Sequence, residues 1–395
     1  MASWKERLRK TPSDETRLVH LGRDPQGQHG FVNPPIQRGS TVLFPTVETL
    51  LAFDSEYTYG RRGTPTTKAL CDAMTELEGG HQSWLAPSGL AAVTMAMSAF
   101  LEAGDEVLIT DNVYGPGRRV AGRLFKKFGV TDRYFDPAIG AGIAELFTER
   151  TKLVMTESPG SQTFEMCDLP AITAACRARN IWVSFDNTWA TPLYFKPLAH
   201  GADVVIQAAT KYVTGHADTM MGIVTTNERA APFVNRAYED LGMCSAPEDA
   251  FLALRGLRSM AVRLARHNAS ALEIAQWLAV RPEVERVLHP ALPSCPGHEI
   301  WKRDFKGASG LFSIVLKPYS DKALAAMLDG MALFGMGYSW GGYESLMVPF
   351  DPKPQRTATE WRYQGPALRL HIGLDDPEDL KADLEAGFER LAAAS

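Results

Sequence analysis

A single lysine follows an apolar segment in the stretch IQAATKYVTGH, residues 206–216. Lysine is usually exposed in folded proteins, so Lys211 considered alone is expected to be a solvated surface charge. Other chemically useful residues follow apolar segments in the same way. Asp186 comes after IWVSF, and Tyr114 comes shortly after EVLIT. This repeated arrangement favours a second interpretation, in which Lys211 belongs to a site.

Short apolar runs that alternate with helical segments predict a mainly parallel sheet covered on both faces. In such sheets, ligands bind beyond the carboxyl ends of the strands. The residues expected at that edge are Tyr114, residues 157–160, residues 186–189, Thr210 and Lys211. A buried helix predicted to begin at Ser88-Gly89-Leu90 would add its N-terminus to the same edge.

Pyridoxal phosphate (PLP) requires such a set of groups. Its aldehyde bonds to a lysine amine, and its pyridine nitrogen stays protonated beside a buried carboxylate. Its ring stacks on an aromatic side chain, and its phosphate suits a helix N-terminus. Lys211, Asp186, Tyr114 and the turn at residues 88–90 match these four needs in that order.

Each residue also has an ordinary structural interpretation. Asp186 could cap a strand-to-helix turn, and Tyr114 could be a loop aromatic. Ser88 could be only a helix cap, and the pair Arg61 and Arg62 could be solvated charges. If this sheet edge had no function, all of these ordinary interpretations would have to be true at once. That coincidence is less probable than any one of them, so we favour a PLP site.

The bulk composition limits the function classes. The chain has 395 residues, of which 45% are hydrophobic and 22% charged, as in a globular protein of two or three domains. Its net charge of −5 does not favour nucleic acid or anionic membranes. Five cysteines without a C-x-x-C pair predict a reducing, cytoplasmic setting. The start, MASWKERLRK, does not resemble a signal peptide.

Two cofactor classes lack their motifs. The sequence contains no H-E-x-x-H motif of the kind found in zinc hydrolases, and we expect no metal. No G-x-G-x-x-G follows a predicted strand, which disfavours a nicotinamide dehydrogenase.

The chain is predicted to have three parts. Residues 1–60 are rich in helix breakers and should form an extended arm against a neighbouring subunit. Residues 61–256 carry the alternating strands and helices of a large α/β domain. Residues 257–395 are a smaller α+β domain. Its predicted elements are one long helix, or two that break near Gly256, strands at 310–317, 331–339 and 367–373, and a final helix capped by Asp375 or Asp376.

The chain resembles the Cys/Met-metabolism family of PLP-dependent enzymes, which have the aspartate aminotransferase fold (type I). The resemblance runs from VNPPIQRGST to LRLHIGLDDPEDL. The segments that carry it are YGRRGTPT, DNTWATPLYFKPLAHGAD, IQAATKYVTGHAD, HPALPSCPGHEIWKRDFKGASGLFS and YSWGGYES. It implies a mainly parallel seven-stranded sheet in a large domain, followed by a smaller C-terminal α+β domain.

The resemblance also implies roles for individual residues. Lys211 would bond to PLP, Asp186 would pair with the pyridine nitrogen, and Tyr114 would stack on the ring and assist deprotonation of the incoming amine. The phosphate would be held by Gly89, Leu90 and Thr210, and by Tyr59 and Arg61 from a neighbouring subunit. The residues expected to contact the substrate are Arg369, which would take its α-carboxylate, with Ser339, Trp340, Tyr338 and Arg62. The implied assembly is a homotetramer of dimers with shared sites.

Within the family, the resemblance is strongest to the carbon–sulfur β-lyases that cleave L-cystathionine during methionine biosynthesis. Ala208 and Ala209 replace hydroxyl residues of many relatives, and Trp340 replaces the leucine in the S-L-G-G of many γ-enzymes. Pro116 stands where methionine γ-lyases carry cysteine. These differences favour β-elimination. Cysteine or cystine desulfhydrase and γ-lyase activities stay open as alternatives. A non-enzymatic PLP-binding regulator is disfavoured because no basic helix-turn-helix segment is present.

Overall fold

The computed structural model describes residues 11–395 and contains two β-sheets. The charged start of the chain, residues 1–10, lies outside the described residues. The strands are β1 (Gln82–Ala86), β2 (Glu106–Thr110), β3 (Thr131–Phe135), β4 (Thr151–Glu157), β5 (Trp182–Asp186), β6 (Val204–Ala208), β7 (Gly222–Thr226), β8 (Val284–Leu288), β9 (Leu311–Leu316), β10 (Leu346–Phe350) and β11 (Ala367–His371).

The α-helices are α1 (Asp14–His20), α2 (Val47–Ala52), α3 (Pro65–Glu78), α4 (Gly89–Ser98), α5 (Gly115–Arg119), α6 (Leu169–Arg177), α7 (Thr191–Tyr194), α8 (Ala231–Asp240), α9 (Pro247–Leu278), α10 (His298–Asp304), α11 (Asp321–Asp329) and α12 (Pro377–Ala393). The described chain also has short 3₁₀ segments at Gly60–Arg62, Pro137–Leu146, Pro197–His200 and Lys353–Gln355, and a π-helical turn at Val120–Phe125.

The large sheet has seven strands in the order β1-β7-β6-β5-β4-β2-β3. The pairs from β6 to β3 are parallel, and β7 runs antiparallel to both of its neighbours. Its middle strands are apolar on both faces: Val107, Leu153, Val183 and Val205 are all fully buried. This confirms the predicted mainly parallel sheet, since strands covered on both sides need continuous apolar sequences.

Local sequence signals set the helix ends beside the site. Thr64 forms a capping box with Thr67 at the start of α3, and Pro65 occupies the first turn. The helix ends at Gly79, whose φ of +69° is the left-handed conformation that favours glycine. Ser88 caps α4 by accepting a hydrogen bond from the Ala91 amide at 3.1 Å. The helix start expected at Ser88-Gly89-Leu90 is therefore confirmed.

The second sheet has four antiparallel strands in the order β10-β11-β9-β8. Helix α9, 32 residues long, joins it to the large sheet without a break at Gly256. A side chain at Gly256 would lie 2.2 Å from the Val213 carbonyl oxygen, so glycine allows the helix to pack directly on the segment after Lys211. The boundary expected between the large and the small domain, at residues 256 and 257, lies inside this helix.

One local expectation is wrong. Residues 331–339 form no strand and contribute only an isolated bridge from Gly335 to Leu346. Two glycines and exposed apolar side chains in this stretch fit a loop rather than a sheet. Residues 11–60 contain two short helices, and α1 packs on the body of its own chain through buried Leu18. The arm expected against a neighbouring subunit stays a prediction.

Within residues 11–395, no helix is both long and apolar enough to cross a bilayer.

Candidate active site

The carboxyl ends of β4, β5 and β6 bring two carboxylates and a lysine to one edge of the large sheet. Glu157 is the register partner of Asp186, and Asp186 is the register partner of Ile206. Lys211 follows the end of β6 by three residues. Since partners in register point to the same face, the two carboxyl groups are neighbours. The grouping predicted from the sequence at this edge is present.

Asp186 occupies an environment that disfavours its charge. Burial raises the pKa of Asp186, while the Thr188 amide, which donates to Oδ1 at 3.0 Å, and the charge of Lys211 lower it. Burial and the charge of Asp186 also hold the pKa of Glu157 well above its usual range. Two adjacent half-buried carboxyl groups create a demand for a cation at this point.

Lys211 is half-buried and points away from bulk solvent. Its Nζ donates a hydrogen bond to Ser339 Oγ at 2.6 Å and lies 5.2 Å from the centre of the Trp340 ring. Burial is the main reason that the pKa of Lys211 falls to about 8, and the Arg369 guanidinium lowers it further, whereas Asp186 raises it. A lysine of this kind is an effective base close to neutral pH.

Tyr114 is fixed through its main chain and leaves its ring accessible. Its amide donates to Glu157 Oε2 at 2.6 Å, and 41% of the residue is exposed. Burial of the hydroxyl and the charges of Asp186 and Glu157 raise the pKa of Tyr114. The phenol therefore stays protonated, which favours stacking over a role as a base.

The N-terminus of α4 lies against the end of β6. A side chain at Gly89 would come within 2.8 Å of Ala208 Cβ, so only glycine permits this approach. The Ser88 cap takes only the Ala91 amide, and among residues 11–395 no hydrogen bond is formed by the amides of Gly89 and Leu90. Such free amides at a helix start bind phosphate well.

Thr210 turns the chain between β6 and Lys211. Its Oγ1 accepts from the Met221 amide at 2.9 Å, which ties this turn to the residue before β7. Thr188 stabilises the same region, because its Oγ1 accepts from the Ala208 amide at 2.9 Å. Thr188 lay in the predicted edge set, but its link between β5 and β6 was not foreseen.

The expected substrate contacts separate into two groups. Arg369 lies on β11 and donates to the Ser339 carbonyl oxygen at 3.3 Å, and Ser339 and Trp340 both reach Lys211. Tyr338 is 89% exposed, as suits a residue at the entrance. The first group therefore places a cation, a hydroxyl and an indole around one amine.

The residues of YGRRGTPT form the second group, which no described hydrogen bond or ion pair joins to Lys211. Tyr59 is half-exposed. The Arg61 carbonyl oxygen accepts a hydrogen bond from the Tyr238 hydroxyl at 2.9 Å. The buried Nη1 of Arg61 has no partner among residues 11–395. Arg62 pairs with Glu239 at 3.3 Å. These residues do not meet the Lys211 group within one chain.

Two buried residues around the site were missed by the sequence analysis. His371 accepts a hydrogen bond from the Gly341 amide, next to Trp340. Glu78 accepts from Gln207 on β6, and burial raises its pKa to about 7. Neither follows the end of a strand in the large sheet, so the rule that found Asp186 and Lys211 could not find them.

The residues present fit PLP. An amine, a buried carboxyl group that needs a cation, an accessible aromatic ring and free helix amides beside Gly89 correspond to the aldehyde, pyridine nitrogen, ring and phosphate of that cofactor.

Comparison with known proteins agrees with this fit. The family model described as "Cys/Met metabolism PLP-dependent enzyme" matches residues 15–389. A protein of Rhizobium johnstonii, provisionally named a cystathionine beta-lyase, is 52% identical over 98% of this chain and 99% of its own length. Cystathionine beta-lyase MetC of Escherichia coli is 46% identical over 95% of this chain and 98% of its own length.

Other relatives have different activities. An L-alanine/L-glutamate racemase of Wolbachia pipientis is 41% identical over 96% of this chain and 97% of its own length. The solved structure of cystathionine gamma synthase from Xanthomonas oryzae, in complex with aminoacrylate and cysteine, superimposes with a TM-score of 0.90 at 31% identity. That match covers 98% of this chain and all of the other. The chain therefore belongs to the Cys/Met metabolism family of PLP-dependent enzymes.

Proposed function

We propose that this enzyme is a carbon–sulfur β-lyase that converts L-cystathionine and water to homocysteine, pyruvate and ammonia. The observation that carries the proposal is the position of one amine, Lys211 Nζ. It lies at the same sheet edge as Asp186 and donates to Ser339, which Arg369 contacts in turn. The names of the relatives from R. johnstonii and E. coli support the choice of substrate.

PLP would be held by groups with complementary charge. Lys211 would bond to its aldehyde, Asp186 would face its pyridine nitrogen, and Tyr114 would cover its ring. The amides of Gly89 and Leu90 would take the phosphate. When bound, PLP withdraws electrons from Cα of the amino acid, so that a proton can leave Cα and a substituent can leave Cβ.

Lys211 moves the protons. With a pKa of about 8, its amine is partly neutral near pH 7 and can take the Cα proton. The resulting ammonium can then protonate the sulfur as the Cβ–S bond breaks. Homocysteine leaves as the thiol, and water converts the remaining three carbons and nitrogen to pyruvate and ammonia. One residue therefore serves as base and then as acid.

Arg369 would bind the α-carboxylate of the substrate. Its guanidinium presents two parallel N–H donors, which match a carboxylate better than an ammonium does. Burial lowers the pKa of Arg369, yet arginine keeps its charge at any ordinary pH. A half-buried cation beside Ser339 is therefore a ready partner for an anion. We assign Trp340 and Tyr338 to the wall and entrance of the same site.

We propose further that a second copy of the chain completes the site. Residues 31–59 expose large apolar side chains, among them Phe31 at 73%, Leu43 at 88%, Val47 at 70% and Leu51 at 78%. An apolar segment of this kind is typical of an interface between subunits. Arg61 follows it and has an unpartnered guanidinium nitrogen that a phosphate would satisfy. Tyr59 and Arg62 would enter the neighbouring site with it, and residues 1–60 would act as the arm.

Residues 61–256 and 257–395 are proposed as the large and small domains, and a homotetramer of such dimers as the assembly. The five cysteines are free thiols, which supports a cytoplasmic location.

The products of L-cystathionine cleavage test the proposal. The purified holoenzyme should release pyruvate and homocysteine, measured by chromatography with mass detection. Release of 2-oxobutyrate and cysteine would instead assign γ-elimination. Faster release of pyruvate from cystine or cysteine than from cystathionine would assign a desulfhydrase.

Racemisation is a second candidate activity, favoured by the 41% identity to the racemase of W. pipientis. After Lys211 removes the Cα proton from one face, a proton from water could add to the opposite face. Incubation with L-alanine or L-glutamate and chiral chromatography would detect the D-enantiomer. Formation of a D-enantiomer faster than cystathionine turnover would make racemisation the main activity.

A further inference from the structure

Two side chains on one face of strand β11 form hydrogen bonds with the two ends of a tight turn, residues 339–341, which contacts Lys211. Arg369 and His371 are two residues apart on this strand, so their side chains point to the same side. Arg369 donates to the Ser339 carbonyl oxygen at 3.3 Å. His371 Nε2 accepts from the Gly341 amide at 3.0 Å. The turn from Ser339 to Gly341 is therefore fixed at its first and last residues.

This turn needs external support because its backbone is strained. Ser339 has a φ of +84°, a left-handed conformation that L-residues with a side chain rarely adopt. Gly341, with a φ of +86°, also lies so close to Lys211 that an added Cβ would be 3.0 Å from the lysine Cα. A small movement of the turn would displace Ser339 Oγ, which accepts the 2.6 Å hydrogen bond from Lys211.

The hydrogen bonds of His371 define its protonation. Nε2 accepts an N–H, so it carries no proton, and Nδ1 donates to the Glu344 carbonyl oxygen at 3.0 Å. Burial and the nearby His267, Arg369 and Lys211 hold the pKa of His371 well below its usual range. The ring therefore stays neutral throughout the physiological range, and its acceptor nitrogen remains available to Gly341.

We propose that His371 is a positioning residue for substrate binding, which holds the 339–341 turn so that Ser339, Trp340 and Arg369 together form the carboxylate site beside Lys211. This inference rests on the proposed function, because it takes these three residues to contact the substrate. His371 itself is 1% exposed, and no described hydrogen bond joins it to Lys211.

Two substitutions separate the acceptor of His371 from its donor. In His371→Gln, the amide oxygen can reach the position of Nε2 and accept from Gly341. In His371→Asn, the shorter amide can donate to Glu344 but leaves the Gly341 amide without a partner. We expect His371→Asn to raise KM for L-cystathionine about tenfold, with a smaller change in kcat, since one buried amide loses its partner. His371→Gln should stay within about threefold of wild type.

His289 provides a matched control. It is fully buried, accepts from the Ala291 amide at 3.2 Å, and has a pKa lowered to about 4 by burial, but it lies at the end of β8 away from the turn. His289→Ala, which leaves the Ala291 amide without its acceptor, should lower thermal stability without changing KM. A similar KM in His371→Asn and His289→Ala would overturn the proposal.

Hydrogen exchange gives a measurement that does not depend on activity. In the holoenzyme, the peptide that spans residues 338–343 should exchange faster in His371→Asn than in wild type, and His371→Gln should restore its protection. Equal exchange in all three proteins would overturn the proposal even if cystathionine is cleaved. If the wild-type enzyme releases no pyruvate from L-cystathionine, the proposed function is wrong. The exchange measurement would still test whether His371 fixes the turn.

Discussion

The Nζ of Lys211 donates a 2.6 Å hydrogen bond to Ser339 Oγ, which joins the large sheet to the loop before β10. The two residues are 128 positions apart in the sequence. The contact brings the amine that follows β6 against the loop that we propose binds the substrate. Each half therefore contributes to a single site.

The first prediction concerns the bond between Lys211 and PLP. Borohydride reduction of the holoenzyme, followed by proteolysis and mass spectrometry, should place the PLP mass on the peptide that contains Lys211. Lys211→Ala should lose both this modification and β-elimination. Lys306→Ala, which removes an exposed lysine, should keep both. Reduced PLP on a different lysine in the wild-type protein would contradict the assignment.

The second prediction concerns the pKa of Lys211 in protein freed of PLP. The Arg369 guanidinium lowers this pKa and the Asp186 carboxylate raises it, giving a value of about 8. Arg369→Met should therefore raise the pKa, and Asp186→Asn should lower it. Competitive labelling of amines at a series of pH values, read by mass spectrometry, measures both. Shifts of the same sign in the two variants would refute this electrostatic account.

The third prediction concerns Arg369 and the substrate. Arg369→Ala should raise KM for L-cystathionine about 10- to 100-fold, since a charged hydrogen-bonded pair is lost. Arg369→Lys should recover part of this loss, because the charge remains without the paired donors. Steady-state kinetics check both. Arg303→Lys, at a half-exposed arginine on α10, is the control and should match wild type. A wild-type KM in Arg369→Ala would exclude the carboxylate role.

The fourth prediction concerns stability and pH. Burial raises the pKa of Glu78 from 4.5 to about 7, so the folded state holds a proton that the unfolded chain releases. This contribution to stability is complete below pH 4.5 and is lost as the pH rises to about 7. Glu78→Gln keeps an acceptor for Gln207 without this titration. The melting temperature of Glu78→Gln minus that of wild type should therefore increase from pH 5 to pH 8.

Differential scanning fluorimetry with saturating PLP would measure this difference, with Glu389→Gln as the control for charge removal at an exposed site. A constant difference between Glu78→Gln and wild type across the pH range would show that Glu78 does not titrate on folding.

The fifth prediction concerns the shared site. Lys211→Ala and Arg61→Ala should each be nearly inactive. If Arg61 serves the neighbouring subunit, a mixed dimer contains one site with both residues intact. Mixing the two variants, after reversible dissociation, should therefore restore part of the activity. Differently tagged subunits and tandem purification would verify that mixed assemblies formed. Inactive mixed dimers would place Arg61 in its own subunit's site or outside the site.

The edge of the large sheet was predictable because its signals are local. A buried parallel strand requires a continuous apolar run, and the residue after such a run lies at the carboxyl edge. Asp186 and Lys211 could therefore be placed before the fold was known. The types of these residues pointed to PLP, and the family resemblance supplied the residues of the second domain, such as Arg369. The strand expected at 331–339 was wrong, since apolar residues in a loop give the same short pattern as a strand.

What the sequence determined by itself was the order of apolar runs, the helix caps and the cofactor family. What only the tertiary structure decided was how distant residues meet. Packing brings together side chains that are distant in the sequence. Three properties of the site depend on it: the hydrogen bond from the Tyr114 amide to Glu157, the hydrogen bond from the Gly341 amide to His371, and the lowered pKa of Lys211. Burial and the distances between charges set these properties, and neither is encoded at any single position of the chain.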